Sequence, residues 1–111
     1  MKKKIKITIK DLDDIEKIVL WDIEKSEAEF KTEKTIQQEL FIFSSQHPEW
    51  KDLLEFKLYW DIWHSEKIKY ILEDLCRLNL IVEVEGTYYL TKEGWNISHQ
   101  IKEDFYMDDE R

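Results

Sequence analysis

The chain has 111 residues, enough for one domain with a hydrophobic core and too few for two. Apolar residues make up 42% of it, and the single cysteine, Cys76, excludes an internal disulfide and a four-cysteine metal site. No apolar run approaches the ~18 residues of a membrane-spanning helix, and the lysine-rich start lacks the apolar core of a signal peptide. We therefore expect a cytoplasmic protein without cofactors. The bias toward lysine, glutamate and isoleucine predicts a thermophilic source.

The net charge of −8 is distributed unevenly along the chain. The first ten residues contain five lysines and no acid, whereas the other 101 residues carry 12 basic and 25 acidic side chains. Residues 103–111 form an acidic tail with five acids and one arginine. A body of this charge repels a phosphate backbone unless its basic groups gather on one face.

The N-terminal third predicts a strand followed by a helix. Ile5, Ile7 and Ile9 alternate with lysines and a threonine, which is typical of a half-buried strand, so residues 1–10 are expected to form a basic strand or arm. Asp11 is the predicted N-cap of a helix from about Leu12 to Lys25. The apolar stripe of this helix is broad, which predicts that it is covered on two sides.

The middle of the chain predicts a second helix and a less regular segment. This helix starts at about Thr32 or Thr35 and ends near Gln46, with Phe41 and Ile42 widening its apolar face. Pro48 can open a short helical turn. Residues 55–63 (EFKLYWDIW) alternate in polarity and are expected to form a short strand or an extended connector.

Residues 65–94 give the clearest prediction of architecture. Ser65 is a good N-cap for a helix with an apolar stripe that ends near Leu78, and Asn79 suits a left-handed end. Two β-prone runs follow, from Leu80 to Val84 and from Thr87 to Leu90, separated by the turn pair Glu85-Gly86. Thr91 then caps a last helix, in which we expect four positions to face inward: Trp95, Ile97 or Ser98, Ile101 and Phe105.

The same region resembles the C-terminal half of winged-helix regulators. The residues that carry the resemblance are Leu72, Leu75, Leu78, Leu80, Ile81, the run Tyr88-Tyr89-Leu90-Thr91, and Gly94. A looser likeness starts at the pattern TIQQELFIF and is similar to the small archaeal and bacterial proteins related to YwgA and the SocA-type antitoxins. Those proteins have a Tyr-Gly-Pro turn before the capped helix, and residues 59–65 here retain only its aromatic flank and serine.

The resemblance implies a single α+β, winged-helix-like domain with three to four helices and a C-terminal hairpin as the wing. It also implies a transcriptional regulator that binds DNA as a homodimer. The helices from Leu12 to Lys25 and from Thr91 to Tyr106 are then expected to form the dimer interface.

The residues support a DNA-binding site only in part. The candidate contacts are four outward residues of the 65–78 helix and two lysines of the N-terminal arm: Lys67, Lys69, Tyr70, Arg77, Lys4 and Lys6. However, three acids on the same helix cancel its three basic charges, and the hairpin turn is acidic. The N-terminal lysines are better explained as protection of an exposed sheet edge, which in a dimer could instead pair with its symmetry mate.

The alternative hypothesis is an acidic winged-helix module that binds protein. The candidate partner-binding residues are Trp50, Trp60 and Trp63, which belong to an aromatic group with Phe56 and Tyr59. We expect most of these five side chains to fill the core, and exposure of two or more of them together to favour a protein-binding patch.

Catalytic and metal-binding signals are weak. The three histidines lack ligand spacing, Cys76 lies beside a buried stripe, and the two glycines form no phosphate-binding loop. We therefore expect a protein that is not an enzyme and that holds no metal. DNA and protein remain as alternative partners.

Overall fold

The computed structural model describes residues 8–25 and 31–105, apart from the side chains of Lys25 and of residues 102–105. A 3₁₀ turn at Ile9–Asp11 precedes five helices and two antiparallel hairpins. In chain order these are α1 (Asp14–Lys25), α2 (Glu33–Gln46), α3 (Pro48–Leu54), β1 (Lys57–Tyr59), β2 (Ile62–His64), α4 (Glu66–Arg77), β3 (Ile81–Val84), β4 (Thr87–Leu90) and α5 (Lys92–Phe105). The predicted α+β class is confirmed. No helix in these two ranges has the length and apolar character needed to cross a membrane.

The predicted N-terminal strand is wrong at its C-terminal end. Residues 1–7, including Lys4 and Lys6, lie outside the described part of the chain. Ile9 and Lys10 belong to a 3₁₀ turn, because the Asp11 carboxylate accepts a hydrogen bond from the Thr8 N–H at 2.9 Å and folds the chain back. The alternating pattern therefore does not continue as a strand to residue 10.

The N-cap of α1 is Asp13 and not Asp11. The Asp13 carboxylate accepts from the Glu16 N–H at 2.8 Å, and the Glu16 carboxylate accepts from the Asp13 N–H at 2.9 Å. This reciprocal pair is a capping box, which satisfies two backbone donors that the first turn leaves unpaired. Burial of Leu12 fixes the bend between the 3₁₀ turn and the helix.

The core is built around α1. This helix contacts α2, α4, α5 and β4, and residues 18–23 are all buried. The prediction that it is covered on more than one side is confirmed. Because the single chain already covers these residues, they are not available as the dimer element that we expected α1 to provide.

The connection after α2 adds a helix to the predicted number. Thr32 caps α2 by accepting from the Thr35 N–H at 3.2 Å, so the earlier of the two predicted starts is right. Pro48 occupies the first turn of α3, where its missing N–H costs no hydrogen bond, and Glu55 ends this helix in a left-handed conformation. The chain therefore has five described helices where three to four were expected.

The segment predicted as one strand or a connector is a complete hairpin. Strands β1 and β2 pair antiparallel with the register Lys57↔His64, Leu58↔Trp63 and Tyr59↔Ile62, which leaves Trp60 and Asp61 as a two-residue turn. We call β1, the turn and β2 the aromatic hairpin. The alternating pattern does not predict this chain reversal, because Trp60 and Asp61 at the turn continue the alternation of apolar and polar residues.

The elements after residue 65 form as predicted. The Ser65 side chain caps α4, Asn79 is left-handed with a φ of 65°, and Thr91 caps α5. Glu85 and Gly86 both have positive φ values, 52° and 82°, as a type I′ turn requires between β3 and β4.

The start of α5 packs tightly against Leu80, the residue that precedes β3. A Cβ atom at Gly94 would lie 1.9 Å from the Leu80 carbonyl oxygen, so only glycine fits there. Ile97 and Ile101 are buried as expected. The Phe105 side chain lies outside the described part of the structure. Trp95 was expected inward and is half-exposed, because its ring packs on His99 along the helix surface with centroids 3.8 Å apart.

Candidate protein-interaction surface

The outward face of α4 carries the predicted DNA-contacting residues, and its charges are mostly compensated. Lys67 pairs with Glu55 at 3.1 Å and also donates to the Leu53 carbonyl oxygen at 3.3 Å. Arg77 pairs with Asp74. Lys69 is the only cation of this face for which the described residues supply no ion pair. The structure thus leaves one uncompensated cation beside the exposed Tyr70 ring.

The C-terminal hairpin adds negative charge beside the last turn of α4. Glu83 and Glu85 are exposed. Burial, and then the Glu83 carboxylate, raise the pKa of the Tyr88 hydroxyl to about 12. Burial likewise raises the pKa of the Cys76 thiol, with Glu83 and Glu73 adding to the effect. A cysteine with a raised pKa is a weak nucleophile at neutral pH.

The aromatic group divides into core and surface residues, and the expectation that most of it is buried is wrong. Trp50 is only 7% exposed and packs near Phe43, so this candidate partner-binding residue belongs to the core. Phe56 is half-buried. In contrast, Tyr59 is exposed, and the exposed fractions of Trp60 and Trp63 are 95% and 42%. The two tryptophans of the aromatic hairpin therefore remain as candidates for partner contact.

The aromatic hairpin and α2 together form a continuous apolar surface. The Trp63 ring stacks on Phe41 of α2, with centroids 5.4 Å apart and planes inclined by 17°. Ile42 lies on the exposed side of α2, and Ile62 is 67% exposed. In the sequence, Phe41 and Ile42 make the predicted apolar face of α2 wider than the core requires. This additional apolar width is the sequence signal for the surface.

A groove runs between α2 and β2. It consists of two adjoining cavities of about 470 and 360 Å³, which share Gln38, Ile62 and Trp63. These volumes lie within the ~300–1,000 Å³ typical of ligand pockets. Glu33 and Lys34 line the first cavity and Asp61 lines the second. We call this feature the α2–β2 groove.

The turn of the aromatic hairpin holds a tryptophan in a strained backbone conformation. Trp60 has a φ of 60° and Asp61 does not have a positive φ, which is the pattern of a type II′ turn. Glycine normally occupies the first turn position, because a side chain there crowds the backbone. The most exposed large side chain of the surface is therefore also the one that strains the backbone.

Buried polar contacts join the aromatic hairpin to the helices. Ser65 is fully buried, and its hydroxyl both donates to the Leu54 carbonyl oxygen and accepts from the Ile68 N–H. The Gln37 side chain donates to the Ser65 carbonyl oxygen and accepts from the Ser65 N–H, both at 2.9 Å. Sequence reasoning identified Ser65 as a cap but missed Gln37, since an isolated glutamine on a helix gives no signal of burial.

Other chemistry is sparse in the described ranges. No three histidine, cysteine, aspartate or glutamate side chains among residues 8–25 and 31–105 converge on a point that would hold a metal ion. His64 lies 3.3 Å from the Glu66 carboxylate, and His99 lies against Trp95. The predicted candidates thus form two groups, the α4 face and the aromatic hairpin.

Comparison of the chain with protein-family models, with curated proteins and with solved structures finds no match.

Proposed function

We propose that the chain is a non-catalytic, winged-helix-like domain that binds another protein through the α2–β2 groove and the tip of the aromatic hairpin. The observation that carries this proposal is the joint exposure of Trp60, Ile62 and Trp63 next to Ile42. Tryptophan is among the residues most enriched in the energetic centres of protein interfaces. Contiguous exposed apolar surface is typical of an interaction site.

The order of elements supports the winged-helix-like part of the proposal. A β-bridge joins Thr32, at the start of α2, to Thr87 of β4, and the Tyr88 N–H donates to the Lys31 carbonyl oxygen at 2.8 Å. The hairpin β3–β4 is thereby joined by a single bridge to the segment that precedes α2. Helix α4, the hairpin and α5 then follow as in the regulators that the sequence resembles.

The connection between α2 and α4 differs from a helix-turn-helix motif, in which a turn of about 3–4 residues joins the two helices. Here α3 and the aromatic hairpin occupy that position. Lys57 and Tyr59 of the hairpin share a cavity of about 190 Å³ with Glu66, Lys67 and Tyr70 of α4. Any partner that approached the start of α4 would also meet the aromatic hairpin.

The electrostatics favour protein over DNA as the partner. Lys67 and Arg77 are paired with acids, and the neighbouring β3–β4 hairpin carries Glu83 and Glu85. Specific DNA binders instead present cations to base edges and phosphates. A DNA-binding regulator remains the rival proposal, and it makes the α4 face rather than the aromatic hairpin the contact surface.

Selection from a random peptide display library tests the proposal with matched variants. The full chain is the bait, and the enriched peptides are measured against the double variant Trp60→Ser/Ile62→Thr and against the α4 variant Lys69→Ala/Tyr70→Ala. We expect the hairpin variant to weaken binding by about tenfold or more, since two hot-spot side chains are lost. We expect the α4 variant to bind like the wild type.

Fluorescence anisotropy with random duplex DNA at low salt is the complementary measurement. The proposal predicts no binding. A salt-dependent rise in anisotropy that Lys69→Ala/Tyr70→Ala removes, and that Trp60→Ser/Ile62→Thr leaves unchanged, would establish the rival. Selected peptides that depend on α4 but not on the hairpin would also overturn our proposal.

A further inference from the structure

We infer that the partner segment is an extended strand alternating aliphatic and basic residues, which adds to the free edge of β2. This inference rests on the proposed function and names its ligand class. Strand addition takes its affinity from main-chain hydrogen bonds and its specificity from pockets for alternate side chains. The α2–β2 groove offers both features.

The backbone groups of Trp63 in β2 point away from β1. Ser65 is extended, with φ −118° and ψ 116°, and its N–H and C=O both point toward Gln37. Backbone groups of alternate residues in an antiparallel strand face the same edge. The N–H and C=O of Trp63 therefore face the same edge as those of Ser65.

At Trp63 this edge is free of strand pairing in the described part of the chain. Sheet β1–β2 has only two strands, so the outer edge of β2 has no strand neighbour among the described residues. At Ser65 the Gln37 side-chain amide supplies one donor and one acceptor, as a peptide group of a neighbouring strand would. An added strand would continue this pairing by one register position, at Trp63.

The α2–β2 groove has room for side chains of the added strand. Residues two apart on a strand are about 7 Å apart and point to the same side. The two cavities of the groove adjoin each other along β2, and both contain Ile62 and Trp63. Two alternate aliphatic side chains of one strand would fill one cavity each.

The charges of the groove select the remaining residues. Glu33, Lys34 and His64 line one cavity and Asp61 lines the other, so the carboxylates of the groove outnumber its lysine by one. The chain as a whole carries a net charge of −8. Both the local and the overall charge attract a basic segment, and this attraction weakens with added salt.

Residues 2–10 of this chain (KKKIKITIK) have the required pattern and supply the probe. The synthetic peptide is titrated into the ¹⁵N-labelled full chain and followed by amide chemical shifts. We expect shifts at Trp63, Ile62 and Gln38, and slower hydrogen exchange of the Trp63 amide. The matched peptide with every lysine replaced by glutamate is expected to bind at least tenfold more weakly.

Two backbone-methylated versions of the peptide test the strand pairing directly. Each version carries N-methyl groups on one of the two alternate sets of amides. One version therefore keeps the N–H groups of the edge that faces β2, and the other version loses them. Strand addition predicts that only one version binds. Equal binding of both, or equal binding of the glutamate peptide, overturns the inference.

The outcomes separate this inference from the proposed function. Binding at the groove without preference for one methylated version leaves a protein-binding surface but contradicts strand addition. Absence of peptide binding at the groove contradicts the inference alone, if library peptides still depend on Trp60 and Ile62. Loss of dependence on the hairpin in both experiments rejects both.

Discussion

Replacement of Gln37 tests how the interaction surface is attached to the core. Gln37 is only 5% exposed and holds both backbone groups of the fully buried Ser65. In Gln37→Leu these two groups lose their partners. An unpaired buried backbone group costs about 1–3 kcal/mol, so for the two groups we expect a loss of about 2–6 kcal/mol in the free energy of unfolding. This is a large part of the ~5–15 kcal/mol typical of a domain.

The neighbouring Gln38 supplies the matched control. It has the same chemistry on the same helix but is exposed. We expect Gln38→Leu to change the free energy of unfolding by no more than about 0.5 kcal/mol. Urea unfolding followed by tryptophan fluorescence and by circular dichroism measures both variants. Equal stabilities of the two would refute the role assigned to Gln37.

A second variant at this position, Gln37→Glu, separates the donor from the acceptor. The glutamate can still accept from the Ser65 N–H but, when ionised, cannot donate to the Ser65 carbonyl oxygen. Glu33, whose carboxylate lies 3.3 Å from the Gln37 amide nitrogen, adds like-charge repulsion. Protonation restores the donor, so the deficit relative to wild type should shrink as the pH falls. A loss of stability that is independent of pH would contradict the role of the Gln37 side chain as a donor to the Ser65 carbonyl oxygen.

Three further predictions concern the packing, the charge and the strain of the fold. Gly94→Ala should destabilise the protein by about 1–3 kcal/mol or more in urea unfolding, because the added methyl group meets the Leu80 carbonyl oxygen. Gly86→Asn should not, because no atom lies within 4 Å of the added Cβ and asparagine suits this turn. Burial, and also the Asp13 and Asp74 carboxylates, raise the pKa of Glu16 above 4.5, against a smaller lowering by the hydrogen bond from Asp13. Between the pKa of Glu16 in the unfolded chain and its higher pKa in the folded protein, the folded state holds more protons, so stability falls as the pH rises through this window. In thermal melts across the same pH window, Glu16→Gln should remove the fall and keep the capping box. Trp60→Gly should raise stability by about 1 kcal/mol, because it relieves the positive φ, and should weaken partner binding; a loss of stability would show that the Trp60 ring stabilises the fold.

The elements that sequence reasoning predicted correctly are those with local chemical signals. A side-chain cap at Ser65 or Thr91, a left-handed residue at Asn79 and a turn at Glu85-Gly86 each follow from a few neighbouring residues. Where several residues fit the same signal, the prediction failed. Asp11 and Asp13 both suit an N-cap, but Asp11 accepts instead from the Thr8 N–H, and Asp13 forms the capping box with Glu16.

The candidate surface was harder to predict because it depends on tertiary packing. A Trp-Asp pair is not a recognised hairpin turn, so nothing in residues 55–63 predicts the reversal at Trp60. Exposure of Trp63 is set by the position of α2, which covers one side of its ring through Phe41. Trp95 shows the same limit, since its helical position predicts burial and its packing on His99 leaves it half-exposed.

The aromatic hairpin combines two features that act against stability and solubility with one that fixes its position. Trp60 strains the backbone, and the exposed Trp60 and Ile62 side chains enlarge an apolar surface that favours aggregation. Yet the buried contacts of Ser65 with Gln37 and with α3 hold the hairpin in one orientation against α2. A hairpin that served only as a connector would gain from glycine at the turn and polar residues beside it. An exposed aromatic hairpin whose backbone is held at Ser65 instead leaves less for a partner to order on binding, which supports the protein-binding proposal.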